Sequence, residues 1–164
     1  LTQVARRTAD VVDDPELTET LLDLVSPWVG ESNGAARATV VTGDAIAAAS
    51  ALTLDSLRIG PLEVPEALQR MAWAAASGGA HGRRRGAALG RFMAWSAGAE
   101  IAGLSWPVSP EELGGALRAL RFFRWDEGSD EEGWVLRLAI EHPEDGWAAA
   151  IAATDLLEED APAR

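Results

Sequence analysis

Apolar residues along this chain fall at helical spacing through most of its length and at alternate positions near the C-terminus. Asp14, Pro15 and Glu16 supply a cap, a first helical residue and an acidic first turn. Leu17, Leu21, Leu24, Val25 and Trp28 then share one face before Gly30 stops the run, which predicts a helix over 15–29. Thr2 to Val12 is a further helix candidate. Residues 34–57 are Ala-rich, with Val41, Ala45, Ala48 and Leu52 in line, and helix is expected because Ala has the best helix propensity. Val40-Val41-Thr42 before Gly43 also reads as a short strand. Pro61 and Pro65 mark a loop, and Pro65-Glu66 opens a helix over 65–77 that carries Leu68, Met71, Ala72 and Trp73.

Beyond Gly78-Gly79 the pattern predicts a helix over 84–102. Ala87, Gly90, Ala94 and Gly98 place small residues along it, where another helix can approach closely. Ser109-Pro110-Glu111-Glu112 is a capping box that leads into Leu113, Leu117 and Leu120, a helix over 110–119. The period then drops to two. Strands are expected near 121–126, rich in aromatics, and 134–141, where Trp134, Leu136, Leu138 and Ile140 alternate with a more polar face.

Pro143 to Gly146 then has two readings. As a turn it makes a hairpin in which His142 faces Trp147, Ile140 faces Ala149 and Leu138 faces Ile151, with apolar faces matched. As a helix start it would begin an Ala-rich helix. The hairpin is the reading adopted, with helix over 147–157 left open. The fold class expected is α+β: a mainly helical domain with a small C-terminal antiparallel sheet of two or three strands. One domain is expected over 1–164, with a helical part at 1–60, helices plus sheet at 61–157 and a frayed tail at 158–164.

Composition narrows the function. All 14 basic residues are Arg, and Cys, Lys and Tyr do not occur, a codon bias expected of a high-GC bacterial genome. Without Cys there is no disulfide framework, thiolate metal site or Cys nucleophile. A net charge of −12 repels nucleic acid and anionic membrane alike, so neither is expected as a partner. No apolar run reaches the roughly 18–20 residues that span a bilayer. The cytoplasm is the expected compartment. Residue 1 is Leu rather than Met, so the chain is expected to be part of a longer protein.

The most unusual segment is the loop from Ser77 to Gly86, where Arg83, Arg84 and Arg85 sit among Gly78, Gly79, Gly82 and Gly86, with His81 between them. Cations at a helix start oppose its dipole, so an anion is an expected partner. A phosphate- or carboxylate-bearing small molecule would suit open amides and guanidinium forks. The chain's own carboxylates are the alternative partners. Arg83 to Ala88 also resembles the R-x-x-G-x-A spacing with which acetyltransferases of the GNAT superfamily hold the pyrophosphate of coenzyme A. That resemblance implies an acyltransferase, but the family places a strand before the motif, and here a helix and a Gly-Gly turn precede it.

His142 lies among Glu141, Glu144 and Asp145, as a solvated turn or an acid/base pair, and His81 has no nucleophile beside it. No catalytic residue, metal site or cofactor is expected. Trp28, Trp73 and Trp95 are expected in the core. Trp125, Trp134 and Trp147 belong to the expected sheet, either packed there or forming an interface, since Trp and Arg anchor interfaces.

The runs GAHGRRRGAALGRFMAW, SPEELGGALRALRFFRWDE and GWVLRLAIEHPEDGW resemble an uncharacterised family of proteins from high-GC bacteria, over roughly residues 65–155. The resemblance implies no catalytic residue, and it implies a C-terminal part of something longer. The function expected is a non-enzymatic interaction or scaffolding domain with a protein partner or self-association. Binding of a small anion at 77–86, or coenzyme A chemistry there, are the alternatives.

Overall fold

The computed structural model describes residues 1–157; the tail expected at 158–164 lies outside them. In chain order the elements are β1 (Thr2–Val4), α1 (Pro15–Asp23), α2 (Ser26–Gly30), β2 (Ala35–Thr42), α3 (Ala45–Ser50), β3 (Leu57–Leu62), α4 (Val64–Ala76), α5 (Ala87–Ile101), α6 (Pro110–Leu117), β4 (Arg121–Asp126), β5 (Trp134–His142) and β6 (Trp147–Asp155). The strands form one antiparallel sheet in the order β1-β3-β4-β5-β6-β2.

This corrects the expected fold class. The chain is not mainly helical with a two- or three-stranded C-terminal sheet. Among the described residues it has six strands, three of them within the first 62 residues.

Two local effects explain the difference. Ala35–Thr42 pairs along its whole length with β6, Val40 opposite Ala149 and Val41 opposite Ala148, and that pairing overrides the helix preference of Ala. Gly43, at φ 133°, breaks the run, and the Asp44 carboxylate caps α3 through the amide of Ala47 at 2.9 Å. In β3, Leu57 and Ile59 face the core while Pro61 lies beyond the end of β1, which pairs only with Leu57, Arg58 and Ile59. Pro is tolerated where one side of a strand is open.

The expected caps are present. Asp14 accepts the amide of Leu17 at 3.0 Å, and Ser109 that of Glu112 at 3.2 Å. The β5–β6 hairpin has His142 opposite Trp147, Ile140 opposite Ala149 and Leu138 opposite Ile151, so 147–155 is strand.

Alternation divides the core. Leu136, Leu138, Ile140, Ala149 and Ile151 meet α1, α2, α4, α5 and α6 on one face of the sheet. Ala139, Ala148, Ala150 and Trp125 meet α3 on the other. Helix α3 carries the chain across that second face from β2 on one flank of the sheet to β3 near the other. On the helical face α4 and α5 pack closely enough that a Cβ on Gly90 would run into the Ala72 carbonyl oxygen and lie 2.7 Å from the Ala76 methyl.

Candidate functional site

The Gly/Arg loop leaves α4 at Ser77 and returns to α5, whose cap, Gly86, has φ 90°. Gly78 and Gly82 lie backbone against backbone, since a Cβ on either would strike the other's carbonyl oxygen. Its amides point inward. Gly79 donates to Ser77 Oγ at 3.1 Å, Ala80 to Asp155 Oδ2 at 2.6 Å, and His81 to Ser32 Oγ at 3.0 Å. Arg83 donates to Glu31 Oε2 at 3.0 Å and Arg85 to the Ala76 carbonyl at 2.9 Å. The glycines thus serve close packing within the chain, and the amides of residues 79, 80, 81, 83 and 85 already have acceptors.

The three arginines part company. Arg85 is half-buried, with Nη1 on the Met93 sulfur at 2.8 Å and Nη2 on Ser26 Oγ. Arg83 and Arg84 are exposed, and among the described residues their guanidinium groups meet no carboxylate. Helix α5 begins at Ala87, so all three precede it.

From this loop α5 runs to an acidic end. Its inner face buries Gly90, Ala94, Ala97, Gly98 and Ile101. Its outer face presents Leu89, Phe92 and Trp95, at 42%, 50% and 46% exposure, and Trp106 stands edge-on to Phe92 with ring centroids 5.5 Å apart. Aromatic side chains each cover roughly 150–250 Å², so the four residues leave on the order of 400 Å² of apolar surface bare, a size that marks interaction sites. At the far end Glu100 joins Asp23 and Thr20 of α1 around a cleft of about 230 Å³ that Met93 and Ser96 also line.

Glu100 also borders a second cleft, of about 220 Å³, with Asp14, Glu16, His142, Asp145 and Trp147. There the His142 ring lies 5.3 Å from the Trp147 ring. Its Nδ1 accepts the Asp145 amide at 3.2 Å, and its Nε2 is 3.5 Å from the Asp145 carboxylate. His142 is thereby held as a turn residue. His81 is exposed in the Gly/Arg loop. Among the described residues no three His, Cys, Asp or Glu side chains are grouped to hold a metal ion.

The sheet tryptophans do not share a face. Trp125 is buried on the α3 side, donating from Nε1 to the Leu138 carbonyl at 3.2 Å beneath the Arg137 guanidinium, 5.3 Å from its ring. Trp134 and Trp147 are half-buried on the helical side. Trp28 is fully buried, whereas Trp73 and Trp95, expected in the core, are about half exposed. The outer face of α5 was not legible as a site, because a helix made mostly of small and apolar residues reads as buried. The signal was the triplet Leu89, Phe92 and Trp95 at three-residue spacing, opposite the small residues.

Residues 2–156 match a family of unknown function, DUF6183, and the chain belongs to it. No curated protein matches the chain, and no solved structure does.

Proposed function

We propose that this chain is a non-enzymatic interaction domain of a bacterial cytoplasmic protein, and that it meets its partner through the outer face of α5. The carrying observation is the bare row Leu89, Phe92 and Trp95 with Trp106 beside it, on a helix whose other face is fully packed. Aromatic side chains in such patches anchor interfaces. Compartment and origin rest on the Arg-only, Cys-free composition and on the fact that no helix among the described residues is long and apolar enough to cross a membrane.

Anion binding at 77–86, with or without coenzyme A chemistry, is the second reading. Exposed Arg83 and Arg84 favour it, and the inward-turned amides weigh against it.

A photo-crosslinking residue at position 92 tests the main proposal in cells. The expected result is an adduct of one defined mass, absent when the same group replaces buried Leu138 and lost when Trp95→Asp is added. A folded chain that gives no adduct from position 92 or 95 would overturn it.

A further inference from the structure

Resting on that reading, we infer that the partner at α5 is a second copy of this chain, docked antiparallel about a two-fold axis that passes by Phe92. The basis is the order of exposed side chains along α5 and the loop that leads into it. Arg83 and Arg84 lie at the N-terminal end without carboxylate partners among the described residues, Leu89, Phe92 and Trp95 lie in the middle, and Glu100 with Asp23 lies at the C-terminal end. A two-fold contact must be self-complementary, and this row is. Turning a second helix end for end about Phe92 sets Phe92 on Phe92, Leu89 on Trp95 and Arg84 against Glu100.

Distances permit it. Glu100 is about 12 Å along the axis from Phe92 at 1.5 Å per residue, and Arg84, just outside the helix, extends a long side chain at the matching end. Antiparallel docking also lays the positive N-terminal end of each α5 beside the negative C-terminal end of the other. Arg83 and Arg84 thereby gain carboxylates that they do not meet among the described residues. The apolar patch, on the order of 400 Å², is about half of the roughly 800 Å² per partner in a standard interface. The charged ends and Trp106 supply the remainder, and a dimer of moderate affinity follows.

Self-docking and docking of a foreign partner differ in outcome. Sedimentation velocity over a concentration series is expected to show a monomer–dimer equilibrium for the unaltered chain. Phe92→Glu, which sets two carboxylates at the axis, should leave monomer only. Arg84→Glu and Glu100→Arg should each weaken association more than tenfold, and the two combined in one chain should restore it, with circular dichroism confirming an unchanged fold in each. Restoration in the double variant is a result that a general loss of stability would not give. A chain that stays monomeric throughout, or a double variant no better than the singles, overturns the dimer. If the unaltered chain is monomeric while position 92 still crosslinks to a protein of another mass, self-docking fails and the interaction reading survives. Failure of both experiments removes both.

Discussion

Asp155, the last residue of β6, accepts the amide of Ala80 at 2.6 Å, although 75 residues separate them. Its side chain is almost wholly buried, and among the described residues its second carboxylate oxygen has no hydrogen-bond partner. The shape of the Gly/Arg loop is therefore set from the end of the sheet as well as from α4. Gly79, at φ 71°, has no room for a Cβ beside that carboxylate.

Replacing Asp155 by Ala should cost about 1–3 kcal/mol, because the half-buried Ala80 amide loses its acceptor. Asp155→Asn keeps an acceptor oxygen and should lie much closer to the unaltered chain. Urea denaturation separates the two variants, and equal losses would deny the hydrogen bond its role.

Gly90 and Gly115 should respond in opposite directions to Ala. A methyl at Gly90 meets the backbone of α4, and such overpacking typically costs about 1–3 kcal/mol. At Gly115, in α6, a Cβ would find no atom within 4 Å, so Ala there should stabilise by about 0.5–1 kcal/mol. Thermal unfolding of the two variants checks the contrast.

Acid should weaken the β3–β4 pairing. Arg58 Nε and Nη2 donate to the two oxygens of Asp126 at 2.7 and 2.8 Å, and these bonds, joined by the Gly128 amide, hold the Asp126 carboxyl below its ordinary value. A carboxyl lowered in the fold contributes its full stability above the unfolded-chain value of about 4. That contribution is lost as pH falls through the lower folded value. Stability measured from pH 7 downwards should therefore decline through that window, and Arg58→Gln should be less stable at pH 7 with a shallower decline. Identical pH profiles for both proteins would contradict this.

Changing Arg83 and Arg84 to Ala should alter stability by no more than about 0.5 kcal/mol, the usual range for surface positions without special contacts. Arg85→Ala should cost more, since its side chain reaches Met93 and Ser26. Thermal shift with coenzyme A and nucleotides should be flat. A ligand at a hundredfold its dissociation constant adds about 2.7 kcal/mol, so a clear rise abolished by the Arg83 and Arg84 changes would restore the anion reading.

Legibility in the sequence tracked how local the controlling physics is. The Asp14 and Ser109 caps act within three residues, and both helices start where those residues predict. The β5–β6 register is likewise set by a short turn. Strands β1, β2 and β3 depend on partners distant in sequence, and apart from the short Val40-Val41-Thr42 run no local preference of Ala35–Thr42 or of Gly60-Pro61 announces them. At the candidate site the loop was conspicuous from its composition. The inward course of its amides depends on Glu31, Ser32 and Asp155, none of them adjacent in the chain.

The placement of β2 beside β6 has a consequence for synthesis. The strand ends at Thr42 and its mate begins at Trp147, and ribosomes add roughly 5–20 residues per second. A Val-containing segment therefore waits on the order of ten seconds before its neighbour is translated. During that interval its unsatisfied backbone is a template for pairing between nascent chains. Arg37 within the strand and Asp44 just after it put charge beside the apolar Val40-Val41 pair, where gatekeeping residues discourage premature association. Arg37→Gln, which leaves the Asp44 cap of α3 in place, should lower the yield of soluble chain during translation more than it lowers the stability of the finished fold.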